Sequence, residues 1–271
     1  MWAVEAAFFD LDKTVISRAS SLALGRPMFR AGLVSRRAVL RGAYAQLVFK
    51  LFGADHRRME KVKDALLALT KGWDQAEVEQ LVREVVVVEI DPFVYEEALD
   101  LMDLHRSEGR RIFIVSSSPE EVVRPLAEHF GADGVLATRA QIEDGKYTGE
   151  LDFYCFGEGK AEAMRALADS VGIDLERSYA YSDSATDLPM LQAVGNPVAV
   201  NPSRNLRREA EARGWQVRDF RRPVRLEPRE STMTPGRAAS AMAAAVAIGA
   251  VVAWLLLRPR KSRFPSVKTR V

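Results

Sequence analysis

Three short apolar runs, each ending in a cluster of hydroxyls or carboxylates, constrain this chain more than any other feature. Ala6-Ala7-Phe8-Phe9 ends at Asp10. Ile112-Phe113-Ile114-Val115 ends in Ser116-Ser117-Ser118. Tyr179–Ser182 leads into Asp183-Ser184-Ala185-Thr186-Asp187. Short unbroken apolar runs of this kind fit strands buried on both faces better than strands with one wet face. Between and after them the pattern is helical at Asp74–Val88 (whose Val85–Val88 run also suits a strand), Pro92–Glu108, Lys160–Val171 and Leu188–Val194. Further strands are expected at Gly134–Thr138, Val198–Val200 and Trp215–Val217, with a hairpin strand at Lys146–Leu151. Strands alternating with helices build a parallel sheet covered on both faces, an α/β fold. Ligands of such sheets bind beyond the carboxyl ends of the strands, where all three polar clusters fall.

The 271 residues are 48% hydrophobic and 28% charged, which excludes wholesale disorder and low-complexity classes. A net charge of +2 gives no argument for nucleic acid as a partner. A single cysteine, Cys155, excludes an internal disulfide framework and fits a reducing compartment. Met1 to Asp12 lacks the positive n-region of a secretory signal, so none is expected. The charge is unevenly spread. Residues 18 to 63 hold eleven Lys and Arg against Asp55 and Glu60, a net +9, and residues 258–271 add six more cations. Basic regions around an acidic body suit anionic surfaces or anionic substrates, or else a solvated helical face.

Residues 238–257 read AASAMAAAVAIGAVVAWLLL, with no charge, and Arg237 and Arg258 close the run. Twenty residues at about 1.5 Å each match the ~30 Å of a bilayer's hydrocarbon core. Trp254 suits an interface, and Ala245 and Gly249 form a small-xxx-small pair. The expectation is one transmembrane helix at 238–257 and a basic tail at 258–271. A Pro-rich linker at 221–237 would precede it. The catalytic part would be held at the cell membrane, on the cytoplasmic side.

The chemistry lies in four segments. Asp10 and Asp12 are spaced i, i+2 directly after a buried strand. One can attack phosphorus as a nucleophile and the other can move a proton to and from the leaving oxygen. Their mutual repulsion calls for a cation, and hard oxygen donors suit Mg²⁺. In Ser116-Ser117-Ser118, a hydroxyl and backbone N–H groups at a helix start would cradle phosphate, with Ser118 as N-cap, Pro119 as first helical residue and Glu121 closing a capping box. Lys160 could neutralise phosphoryl oxygens and Asp10. Asp183 could bind a metal, and Asp187 could hold metal-bound water or orient Lys160. Cys155 has no CxxC partner, and His56, His105 and His129 fall outside these clusters; all four read as structural or surface residues.

Together FFDLDKT, IVSSS, the lysine of GEGKAEAM, and SDSATDLPM resemble, in this order, the motifs of the haloacid dehalogenase superfamily, over about Ala6 to Asn201. The resemblance is strongest to its phosphoserine-phosphatase-like branch, subfamily IB. It implies a Rossmann-like core (residues 1–16 and 91–220) with an all-α cap inserted at 17–90. Cap helices would run over Ser20–Phe29, Arg36–Phe52 and His56–Leu69. It also implies Asp10 as nucleophile, Asp12 as general acid and base, and an aspartyl-phosphate intermediate. Ser116, Ser117 and Lys160 would hold the phosphoryl group. Mg²⁺ would lie on Asp10, the Asp12 carbonyl and Asp183, with Asp187 in or next to that set. Two positions depart from the pattern. Ser182 replaces a common glycine, and residues 15–29 hold no carboxylate to bind the amino group of phosphoserine.

The expected function is therefore a Mg²⁺-dependent phosphomonoesterase acting on a small phosphorylated metabolite such as phosphoserine or a related compound. The alternative substrate is a phospholipid or lysophospholipid head group, favoured by the basic, aromatic-rich 18–63 stretch. Transfer of the phosphoryl group to an alcohol is chemically adjacent. The reading of another class is a non-catalytic, membrane-tethered partner-binding protein.

Overall fold

The computed structural model describes residues 4–17, 67 and 71–222. The expected cap helices at 20–29, 36–52 and 56–69 lie outside the described residues, save for Leu67. So do the rest of the linker from residue 223, the uncharged run at 238–257 and the basic tail. Among the described residues no helix is long and apolar enough to cross a membrane.

Seven strands form one sheet: β1 (Ala6–Asp10), β2 (Arg111–Pro119), β3 (Gly134–Glu143), β4 (Lys146–Phe153), β5 (Tyr179–Ser182), β6 (Asn196–Val200) and β7 (Gln216–Arg218). Their order is β4-β3-β2-β1-β5-β6-β7. All neighbours are parallel except β3 and β4, which form the expected hairpin. The chain builds outward from β1 through β2 and β3, then returns to the other side of β1 at β5. The order reverses at β1, and ligands of open α/β sheets bind at such a reversal, beyond the carboxyl ends of the strands.

The helices are α1 (Gln75–Ile90), α2 (Glu96–Ser107), α3 (Glu120–His129), α4 (Glu158–Val171), α5 (Leu188–Gln192) and α6 (Arg204–Arg213). Val85–Val88, open to either reading from sequence, lies inside α1. Every residue of β1 is buried, because successive side chains feed opposite layers. Ala7 and Phe9 join Ile112, Ile114, Val123, Leu126 and Tyr181 on one side. Ala6 and Phe8 join Phe113, Val115, Met164, Met190 and Leu206 on the other. Phe9 stacks on Tyr181 at 4.4 Å between ring centres, and Phe8 on Phe113 at 5.4 Å. Val86 and Ile90 of α1 belong to the first layer, so this helix at the end of the inserted segment packs on the core. Backbone bonds from Gly72 to Tyr147 and from Gln75 to Gly145 also tie its start to the β3–β4 hairpin.

The chain leaves the sheet by a strap over the carboxyl end of β6. Asn201 holds Phe220 at two points, accepting its N–H at 2.9 Å and donating to its carbonyl at 3.2 Å. Glu97 of α2 accepts the backbone N–H groups of Arg221 and Arg222, the first two residues of the expected linker.

His105 of α2 is buried, with Nε2 at 2.7 Å from the Tyr181 hydroxyl and Nδ1 at 3.2 Å from the Arg110 guanidinium. A guanidinium can only donate, so Nδ1 accepts and the ring proton sits on Nε2. Burial, then Arg110 and Arg218, push the imidazole pKa down to about 4. Between pH 6.5 and 4 the unfolded chain binds a proton that the folded chain refuses, so stability falls as pH falls through this window. Chemical denaturation should show a loss of about 3 kcal/mol from this residue at pH 4, and His105→Gln should flatten that part of the profile. An unchanged acid limb in the variant would contradict the neutral, buried assignment.

Candidate active site

The parallel register brings the three polar clusters to one level. Asp10 pairs with Val115, which puts Ser116 one residue beyond it. Phe9 pairs with Tyr181, which puts Ser182 beside Asp10 and Asp183 just past the strand end. Lys160 comes from the first turn of α4, on the layer that Ala161, Met164 and Ala168 bury against the sheet.

Lys160 is 2% exposed, and its ammonium bridges two carboxylates. Nζ lies 2.6 Å from Asp10 Oδ1 and 2.7 Å from Asp187 Oδ2. The Ser182 hydroxyl donates to the same Asp187 oxygen at 2.7 Å. Serine in place of the family's glycine thus adds a bond that holds Asp187. Thr14 Oγ1 donates to Asp10 Oδ2 at 3.3 Å. One ammonium cannot neutralise two buried carboxylates. Burial pushes the Asp10 pKa up to about 8, with Lys160 working against the rise and Asp187 adding to it. Burial also opposes the charge on Lys160, yet Asp10 and Asp187 hold its pKa above the ordinary lysine range. Asp183 is 8% exposed, and burial pushes it up to about 6. Its backbone carbonyl accepts the Ser203 N–H at 2.8 Å, and Lys13 Nζ lies 3.9 Å from its Oδ2.

The three serines are not a helix N-cap. β2 continues through Ser118 to Pro119 with a register shift, and α3 starts at Glu120 without a side-chain cap. β3 keeps pairing past the serines, which holds the segment extended as a bulge instead of releasing it into a helix. Ser116 is buried and its Oγ accepts the Ser118 N–H at 3.2 Å. The Ser117 carbonyl is taken by Thr138 Oγ1 at 2.8 Å, and the Ser117 side chain is exposed. Ser118 Oγ lies 3.5 Å from Asp12 Oδ2. Glu121 accepts the Tyr147 hydroxyl at 2.8 Å in place of closing a capping box.

Sequence reasoning missed three supporting residues. Ser182 and Thr14 carry the bonds just described. A Cβ on Gly159 would lie 2.4 Å from the Tyr154 carbonyl, so only glycine lets α4 start close enough for Lys160 to reach Asp10. The run GEGK carried that signal, because a glycine beside a functional lysine marks a close backbone approach. Cys155 is buried, and burial pushes its thiol up to about 11, consistent with a structural role.

A metal fits the donor set. Three carboxylates, Asp10, Asp183 and Asp187, meet two cations, Lys160 and Lys13, among the described residues. The donors are all oxygen, the hard chemistry that Mg²⁺ prefers. Among the described residues no three His, Cys, Asp or Glu side chains converge as a ligand cluster. Mg²⁺ does not need one, since it is held by one or two carboxylates with waters completing its shell. Asp10, Asp183 and the Asp12 carbonyl would be such a set, while one Asp187 oxygen is already engaged by Lys160 and Ser182.

The model of the haloacid dehalogenase-like hydrolases matches residues 7–192, from β1 to the end of α5 and through all four segments. The chain belongs to that family. It is 52% identical over 248 residues to a probable phosphatase of Mycobacterium tuberculosis, covering 92% of this chain and 86% of the relative. A phosphoserine phosphatase of the same organism is 36% identical over 218 residues, covering 80% and 71%. A crystal structure of a Bordetella pertussis protein of unknown function is 31% identical, with a TM-score of 0.65 over 80% of this chain and 99% of that one. This haloacid dehalogenase-like hydrolase is thus a phosphoric monoester hydrolase resembling the phosphoserine-phosphatase branch, which sets aside the non-catalytic reading.

Proposed function

We propose that the chain is a Mg²⁺-dependent phosphatase of small phosphorylated metabolites that works through an aspartyl-phosphate on Asp10. The observation that carries this reading is the bridge of Lys160 between Asp10 and Asp187 at the carboxyl ends of adjacent strands. The bridge fixes the orientation of Asp10, and all three of its members are buried. A bound Mg²⁺ would supply charge neutralisation at the phosphoryl oxygens, held by Asp10, Asp183 and the Asp12 carbonyl.

In the first step an Asp10 carboxylate oxygen attacks phosphorus, and the bond from phosphorus to the ester oxygen breaks. Asp12 gives its proton to that oxygen, so the alcohol leaves neutral. Asp12, now ionised, takes a proton from water as the water oxygen attacks phosphorus. The acyl-phosphate bond breaks, and phosphate and the Asp10 carboxylate are regenerated. Lys160 and the Ser116–Ser117 bulge face phosphoryl oxygens, and positioning with fixed charge provides most of the acceleration.

The substrate reading is supported by a phosphoserine phosphatase among the relatives. The absence of a carboxylate in residues 15–29 favours a related monoester over phosphoserine itself. The second reading, a lipid head group approached from a membrane tether at 238–257, is favoured by that uncharged run and by the +9 stretch at 18–63. It would place the catalytic part on the cytoplasmic face of the cell membrane. The test is phosphate release by the full chain from phosphoserine, other soluble monoesters and vesicles containing a lysophospholipid monoester, with Mg²⁺ and with a chelator. Chelator-sensitive release from soluble monoesters is expected. Preference for the vesicles would favour the lipid reading, and release that survives chelation would contradict both.

A further inference from the structure

We propose that Lys13 selects substrates whose leaving alcohol carries its own negative charge, by pairing with that charge at the exposed edge of the acidic cluster. This rests on the phosphatase reading above. The two cations that reach the acidic cluster among the described residues are differently placed. Lys160 is buried, and Asp10 and Asp187 engage two of its three donors, leaving the third for the phosphoryl group. The Lys13 side chain is 64% exposed, and among the described residues a single ion-pair contact, at 3.9 Å, links it to Asp183. An exposed ion pair at that distance is weak, and Asp183 has a competing partner in any bound cation. The Lys13 ammonium is therefore available to a ligand entering from solvent.

Its backbone points the same way. Lys13 has φ +64, a left-handed conformation that costs a lysine but not a glycine. A strained residue kept at a site's edge calls for a role for its side chain. Three residues on, Ile16 pairs with Asp12 and Val94, and Ser17 donates to the Phe93 carbonyl, so the turn bearing Lys13 is held firmly. The phosphoryl group itself belongs to the buried end, with Lys160 and Ser116. Lys13, at the exposed end, is left to the group being expelled.

The test compares 3-phosphoglycerate with glycerol 3-phosphate, which leave as glycerate and glycerol and differ by one carboxylate. The full-length protein with Mg²⁺ should show a kcat/KM about five- to tenfold higher on 3-phosphoglycerate, carried mainly by KM. Lys13→Gly, whose backbone accepts φ +64, should fold, as checked by thermal denaturation, and should erase that preference. Lys13→Arg should keep it. An equal loss on both substrates in Lys13→Gly would assign Lys13 to the phosphoryl group and overturn the inference. So would a preference that survives the substitution, or a wild type that shows none. Failure on both esters with turnover of other monoesters would overturn the inference alone. Failure on every monoester would overturn the phosphatase reading with it.

Discussion

Asp10→Asn is expected to reduce phosphate release by at least about 10⁴-fold while leaving the protein folded. The amide keeps the size of the carboxyl, and its oxygen can still accept from Lys160. It cannot attack phosphorus. Stability should hold or rise in the metal-free protein. Burial raises the Asp10 pKa, with Lys160 working against the rise, so ionising this carboxyl costs more in the folded site than in the unfolded chain. Ionisation at this position therefore works against folding, and a neutral isostere avoids that cost. A variant that keeps turnover would remove Asp10 from the reaction. A variant that unfolds would mean the ionised carboxylate is a structural necessity.

Lys160→Met is expected to damage both activity and stability. The ammonium is enclosed, and its removal leaves the buried Asp10 and Asp187 without the cation they share. Deleting one partner of a buried ion pair costs about 3–5 kcal/mol. For a domain of this size that lowers the thermal midpoint by roughly 10 °C. Activity should fall by roughly 10³-fold, since a fixed charge near developing phosphoryl charge is worth that much. Asp187→Asn, which weakens the bridge and keeps the lysine, should lose less of both. The pair of variants distinguishes a lysine that neutralises charge from one that only fills space. In the second case Met would be tolerated thermally and activity would change little.

The strands were legible because β1, β2 and β5 are buried on both faces, and that burial forces unbroken apolar runs onto the sequence. The convergence of Asp10, Ser116 and Asp183 was legible for the same reason, since residues that follow buried parallel strands must share one edge of the sheet, whereas Lys160, in the first turn of α4, was placed by the motif resemblance alone. The serine run was misread locally. Ser118-Pro119-Glu120-Glu121 has the composition of a helix start, but the pairing of β3 with β2 decides its conformation, and that pairing joins residues about twenty apart. The two roles considered for Asp187 could not be separated from spacing, because the bond from Ser182 exists only once β5 and α5 are packed. The strap from Asn201 to Phe220 left no signal at all, because an asparagine clamp across nineteen residues depends wholly on tertiary placement. Lys13 reads as an ordinary solvated lysine until its left-handed backbone and its contact with Asp183 are seen.

The most direct measurement is chemical trapping of the phosphorylated enzyme. Full-length protein with Mg²⁺ is quenched in acid during turnover of a monoester, reduced with borohydride and digested. The peptide carrying residue 10 is then read by mass spectrometry. An acyl phosphate on Asp10 would be reduced there, so homoserine should replace aspartate at position 10 and at no other carboxylate. Rapid turnover with Asp10 unmodified, or with the reduction at Asp12 or Asp183, would contradict a covalent step on Asp10.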